Sequence, residues 1–291
     1  MMANQKKTAV LVGLYVSRWD PNKKDLKISQ EVATSHGIKD ARMGRFWKSL
    51  LPRNEQFKAL CAVEFQARKF HYDNTLPWMQ EGMRILPCDN YMDYMEAMRK
   101  FKAAFDTAVL EFIEAYPDAV EDAKLLLNGL FDAKDYPEAS KLKSRFSFST
   151  TVMPLPASSN LEGQGIPEEE LERAKADVER ELSAAFRAAN RELWDRLFNA
   201  ISDIQSRLDN PKGRVMEKTV DNLRSLLSVL KRLNVSGDPR LEQMRQMAEK
   251  KLAMVSPAEI RIDPAARKAA RNEVKSIEDT MRSLMGGTPH A

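Results

Sequence analysis

The chain has 291 residues, of which 43% are hydrophobic and 30% charged, and it carries a formal net charge of +4. That is the composition of a globular chain long enough to bury a core without staples, and it excludes disordered, collagen-like and low-complexity classes. With 3 histidines and 2 cysteines, zinc and thiol chemistry have little to work with.

Thr8 to Trp19 reads as a strand, with Val10, Val12, Leu14 and Val16 alternating against Leu11, Gly13, Tyr15 and Ser17. Both faces carry apolar residues, so the strand should be half covered or more. Asp20-Pro21-Asn22 predicts a turn. From Asp25 to Phe131 the pattern reads as helical. Residues 1 to 70 hold 14 basic and 6 acidic side chains, and residues 71 to 143 hold 8 and 14. The basic start has two readings. Lys23, Lys24, Lys27, Lys39, Arg42, Arg45, Lys48 and Arg53, interleaved with Trp47, are candidates for phosphate contact in DNA or RNA. The plainer reading is a segment facing the acidic stretch that follows, and the balance favours it because no run of like charges reaches five or six residues.

A helix is predicted to start near Asn54 and to present Phe57, Leu60, Cys61 and Phe65 on one face. Another should run from Asn90 to Tyr116, with a stripe of Tyr91, Tyr94, Met98, Phe101, Phe105, Val109 and Phe112 that reads as core. Pro117 suits the first turn of a further helix ending near Phe131. Between these helices, Trp78 and Arg84 are candidates for an interaction surface, as is Trp194 further on. Trp78 has a competing reading as a plug under the sheet, since large aromatics are mostly buried.

Arg145 to Val152 is a second strand, ended by Pro154 and Pro156. The two strands are expected to pair antiparallel and to pack on the helices between them, because an isolated pair is marginal. Residues 154–166 form a turn-rich stretch. The long helix predicted from Pro167 carries Leu171, Ala174, Val178, Leu182, Ala185, Ala189, Leu193, Leu197, Ile201, Ile204 and Leu208. Its rise of about 63 Å exceeds the width of a compact body of this size, so it must protrude, bend or pair along its length. After a turn at Asn210 to Gly213, Val220, Leu223, Leu227 and Leu230 mark an antiparallel neighbour. Arg240 to Val255 is a shorter helix. A last one is capped by Asp263-Pro264, striped by Ala270, Val274, Ile277, Met281 and Leu284, and stopped by Gly286-Gly287.

The expected fold is mainly α: a helical bundle with a long helical hairpin and a small two-stranded antiparallel β-sheet. The expected organisation is residues 1-156 as an α-helical domain with the sheet, 157-166 as a linker, and 167-291 as the long hairpin plus C-terminal helices. No phosphate-binding glycine loop, dinucleotide fingerprint, nucleophile elbow or metalloprotease helix occurs. Asp118, Asp122 and Asp132 with Lys124 and Lys134 have the residue types of a Mg²⁺ site. Their helical setting is better explained as a solvated face. No catalytic, cofactor-binding or metal-binding residue is therefore assigned. The residues 1 to 7 are too short and polar for a signal peptide, no apolar run reaches about 20 residues, and two unpatterned cysteines suit a reducing compartment. A cytoplasmic protein with no membrane partner is expected.

Trp19, Thr75-Leu76-Pro77-Trp78, Arg84-x-Leu86-Pro87, Asp135-Tyr136-Pro137, Pro154-x-Pro156, Val220-Asp221-Asn222-Leu223, Leu233-Asn234 and the stretch from Glu259 to Arg267 occur in this order. On these motifs the chain resembles a family of bacterial and phage proteins catalogued as domain of unknown function 3150. The resemblance implies a phage or prophage protein, located in the host cytoplasm if phage-encoded, whose gene sometimes lies beside a MoxR-like AAA+ ATPase. It carries over no catalytic residue. The first functional expectation is a non-enzymatic protein acting as a homo-oligomeric assembly or as an adaptor of such an ATPase. The alternative is a nucleic-acid-binding protein of phage replication or recombination.

Overall fold

The computed structural model describes residues 9–51, 54–210, 212–252 and 256–286. In chain order these form β1 (Ala9–Ser17), β2 (Asn22–Asp25), α1 (Leu26–Ser35), β3 (Phe46–Ser49), α2 (Glu55–Asp73), β4 (Leu76–Pro77), β5 (Met83–Pro87), α3 (Tyr91–Leu127), α4 (Ala139–Leu142), β6 (Ser147–Pro154), α5 (Glu168–Asp209), α6 (Glu217–Leu233), α7 (Pro239–Lys251), α8 (Pro257–Ile262) and α9 (Pro264–Gly286). The fold is mainly helical, with a long helical hairpin and a small two-stranded antiparallel sheet. No helix among the described residues is long and apolar enough to cross a membrane.

The residues group into two compact units that interleave along the chain. The first comprises 1–13, 70–94 and 151–291, and the second 14–69 and 95–150.

The first unit is built on α5. Leu182, Ala185, Ala189, Leu193, Leu197, Ile201, Ile204 and Leu208 are buried, at the helical spacing read from sequence. They pack on the stripes of α6 (Val220, Leu223, Leu227, Leu230), α7 and α9 (Val274, Ile277, Met281). Each such leucine or isoleucine contributes about 1.5–3 kcal/mol through burial. The long helix thus pairs within its own unit over these residues. Its first turns, where Leu171, Ala174 and Val178 are only half-buried, lie against a 3-10 turn at Ser158–Leu161. The Ser158 hydroxyl donates to Glu179 Oε1 at 2.7 Å. At the far end, the Arg267 guanidinium collects the carbonyls that α5 leaves unpaired. Asp263 caps α9 as expected, its Oδ1 accepting from the Ala265 N–H at 2.8 Å; Gly287 lies outside the described residues.

The sheets correct the sequence reading. β1 and β6 are neighbours, but in a four-stranded sheet of order β4-β5-β1-β6. β5 runs antiparallel to β1 with Leu11 opposite Ile85, and β4 antiparallel to β5 with Leu76 opposite Ile85. The two-stranded sheet is a separate ribbon that pairs β2, just after the predicted turn, with β3, inside the stretch read as helical. These four added strands are two to five residues long, and β2 and β3 read Asn-Lys-Lys-Asp and Phe-Trp-Lys-Ser. Segments this short and polar carry no period-2 signal.

The second unit is centred on α3. Met98, Phe105, Val109 and Phe112 are buried on the expected stripe. Pro117 does not start a new helix, because α3 runs through it to Leu127. Proline costs one helical hydrogen bond. Buried Phe112 and Tyr116 before it, and Ala119 and Ala123 after it, hold both halves in one register. On α2, Asn54 Oδ1 accepts from the Phe57 N–H at 2.7 Å and starts the helix as predicted. Phe65, expected on the buried face, is exposed; that face continues instead through Leu60 and Ala67.

Candidate functional site

The three residues read as interaction candidates are engaged inside the first unit. Arg84 on β5 donates from Nε to Thr75 Oγ1 at 2.7 Å and from Nη2 to Thr75 O at 3.1 Å, with its guanidinium 4.7 Å above the Tyr72 ring. Arg196 on α5 joins it. Its Nη2 donates to Tyr72 O and Thr75 O, and its Nη1 to Asp73 O, at 2.9, 3.0 and 3.2 Å. Arg196 thus satisfies two carbonyls in the last turn of α2, where the helix dipole favours positive charge, and both arginines hold the Thr75 carbonyl just beyond it. Burial, then the Arg196 charge, pushes the Arg84 guanidinium below its ordinary value. Trp78 is half-buried against the apolar core of the same unit.

Trp194 is buried, and its Nε1–H donates to Asp238 Oδ2 at 3.0 Å. Asn190 donates to the same oxygen at 3.0 Å. The other carboxylate oxygen caps α7, accepting from the Arg240 and Leu241 N–H groups at 2.9 and 3.3 Å. Burial pushes the Asp238 carboxyl up, but these donors outweigh it and hold it below the usual range. Trp194→Phe removes one donor to a charged acceptor. It should cost about 1.5 kcal/mol of stability in urea unfolding, and a loss below about 0.5 kcal/mol would contradict this role.

The basic candidates lie on and around the ribbon in the second unit. The register places Lys23 opposite Lys48 and Lys24 opposite Trp47. Side chains alternate between faces, so the ribbon is two-sided. The inner face carries Lys23, Asp25, Phe46 and Lys48. Lys48 is 6% exposed, pairs with Asp135 at 2.5 Å and Asp25 at 3.7 Å, and donates to Leu130 O at 2.8 Å. Lys23 also bonds Asp135, and that hydrogen bond raises the lysine above its ordinary value. Burial raises the Asp135 carboxyl, while hydrogen bonds and charges from both lysines lower it further than burial lifts it. Asp25 meanwhile caps α1, and Ser29 ties α1 to β3 by accepting from the Phe46 N–H at 3.0 Å.

The outer face carries Asn22, Lys24, Trp47 and Ser49. Trp47 is 56% exposed, whereas Trp19 in the same unit is 7% exposed. Arg42 is neutralised by a bidentate bond to Asp40, its Nη2 2.8 Å from Oδ2. Arg45 donates to Arg42 O at 3.3 Å. Lys24, Lys27, Lys39 and Arg45 have no carboxylate partner among the described residues. Arg53 lies outside the described residues.

The structure therefore divides the described basic candidates: Lys23, Lys48 and Arg42 pair with carboxylates of this chain, whereas Lys24, Lys27, Lys39 and Arg45 do not. The anchoring role of Asp135 was missed in the sequence. Burial of an aspartate 87 positions from its lysine partner leaves no local signal. Asp132 caps a 3-10 turn by accepting from the Lys134 N–H at 3.0 Å. Among the described residues, no three of His, Cys, Asp and Glu stand close enough to hold a metal ion. Comparison of the chain with protein-family models, curated proteins and solved structures gives no match.

Proposed function

We propose that this protein is a non-enzymatic nucleic-acid-binding protein whose contact surface is the outer face of the β2–β3 ribbon. The observation that carries the reading is Trp47, held out at 56% exposure opposite Lys24. An exposed indole on a sheet face offers a stacking platform to an unpaired base, worth about 1–3 kcal/mol per base. Lys24, Lys27, Lys39 and Arg45 supply charge for the backbone. An indole has one N–H donor, so it cannot bond a base edge bidentately as Asn, Gln or Arg do, and its ring face needs an unstacked base, which favours single-stranded substrates. The resemblance to a phage family fits a role in phage replication or recombination.

The test is fluorescence anisotropy with a labelled single-stranded oligonucleotide at low salt. The wild type should bind, with affinity falling as salt rises. Trp47→Ala should weaken binding about tenfold, the equivalent of about 1.4 kcal/mol. No binding at low salt overturns the reading.

A second reading, assembly with a protein partner such as an AAA+ ring, is favoured by a different observation. Leu125 and Leu126 at the end of α3 are 80% and 66% exposed, beside half-buried Leu127, Leu130 and Phe131. It ranks second because the long helix, which could have paired with another copy, packs on α6, α7 and α9 of its own chain. A discrete salt-resistant oligomer in light scattering, indifferent to the oligonucleotide, would reverse the order.

A further inference from the structure

Four cations from three separate stretches of chain converge in the first unit. Lys212 and Arg214 come from the turn between α5 and α6, Arg261 from α8 and Arg267 from α9, and together they line one cleft of about 450 Å³. Val215 and Ile260, both buried, form part of its apolar wall. No acidic side chain is among the described lining residues.

The cleft is built rather than incidental. Arg267 Nη2 donates to the carbonyls of Arg207, Leu208, Asn210 and Gly213 at 2.9, 3.1, 2.9 and 3.2 Å. This fixes the guanidinium plane and spends one amino group on the end of α5. A guanidinium has five N–H donors, so the remaining ones are oriented and still available. Gly213 sets the rim: a Cβ there would stand 2.2 Å from Arg207 O, so only glycine lets the turn come this close. Two aspartates beside it are engaged elsewhere. Asp209 bonds Arg271 and Gln205, and Asp263 caps α9. Lys212, Arg214 and Arg261 have no carboxylate partner among the described residues.

Like charges brought together without an acid repel one another, and an anion between them removes the repulsion. The planar guanidinium fork matches phosphate oxygens in pairs. The cleft also falls within the ordinary range of ligand sites, about 300–1,000 Å³, so it has room for more than one phosphate. We propose that this cleft binds phosphate groups, carried either by a nucleic-acid backbone or by a free phosphorylated small molecule. The inference goes beyond the ribbon, because it rests on different residues in the other unit.

The test titrates the full chain with inorganic pyrophosphate by calorimetry and with a labelled oligothymidylate by anisotropy, in the wild type and in the double variant Arg214→Ala/Arg261→Ala. Both arginines are exposed, so the variant should keep the wild-type melting curve. If the cleft holds a backbone, oligothymidylate affinity falls at least tenfold in the variant. The slope of log affinity against log salt then shrinks by about 1.4, or about 0.7 per lost contact on a single strand. If it holds a small phosphorylated molecule, pyrophosphate binding is lost in the variant while oligothymidylate binding is unchanged. Equal affinities in wild type and variant for both probes, or no binding of either, overturn the proposal. Pyrophosphate binding that depends on the two arginines, with no oligothymidylate binding in any form, would remove the ribbon reading and leave the cleft standing.

Discussion

Phe112→Ala should remove about 4 kcal/mol of stability from the second unit, the middle of the range for truncating a buried phenylalanine. Phe112 has no solvent exposure. Its ring centroid lies 5.2 Å from Phe57, 5.8 Å from Tyr116, 5.9 Å from Phe146 and 6.4 Å from Trp19. These neighbours come from α2, α3, the residue before β6 and the segment just after β1, so the cavity cannot close by moving one element. Urea unfolding followed by tryptophan fluorescence reads the loss directly, because Trp19 is part of the cluster. A change under about 1 kcal/mol would mean that the cluster relaxes freely, against the packing described.

Asp135→Asn should cost about 3 kcal/mol, for an electrostatic reason. The amide keeps the shape and removes the charge. Lys48 is then left buried, with Asp25 at 3.7 Å as its remaining carboxylate partner among the described residues, and an uncompensated buried charge is among the most destabilising changes a fold meets. The effect has a pH signature. Because the Asp135 carboxyl is held below its ordinary value, it stabilises the fold at pH above the unfolded carboxylate value of about 4. That stability is lost as pH falls through the lower folded value. The wild type should therefore lose stability on acidification more steeply than the variant, and their unfolding curves should converge at low pH. Parallel curves at all pH values would show that the pair contributes no charge-dependent stability.

The legible parts of this fold are those whose signal lies in one segment. The stripes of α5, α6 and α9 recur every three or four residues and are buried where the spacing places them from Leu182 onward, with Leu284 partly buried at the end of α9. The caps at Asn54 and Asp263 are equally local. What escaped the sequence depends on distant partners. Lys24 and Trp47 become neighbours only when Asn22–Asp25 pairs with Phe46–Ser49 across a helix. Trp194 shows its partner only once Asp238, 44 positions on, is folded beside it. Pro117 misleads because its local rule is sound, and the packing of Tyr116 and Ala119 overrides it. Of the candidate site, the residue types around Trp47 were visible in the sequence, but which cations remain uncommitted was not. The converging arginines were invisible, since Arg214, Arg261 and Arg267 lie on separate elements with no motif to join them.

The interleaving of the two units bears on how the chain emerges from the ribosome. The second unit has all its residues once Thr150 is made. The first unit has by then produced Leu11, Leu76, Met83 and Ile85, whose apolar partners include Leu193, Leu197 and Ile277. These early side chains must wait, solvent-exposed or held by a chaperone, until the last helices are translated. A nonsense codon in the turn-rich stretch after Pro154 would therefore release no working half. It would release a fragment whose apolar strands lack their helical partners, a product that quality control should degrade.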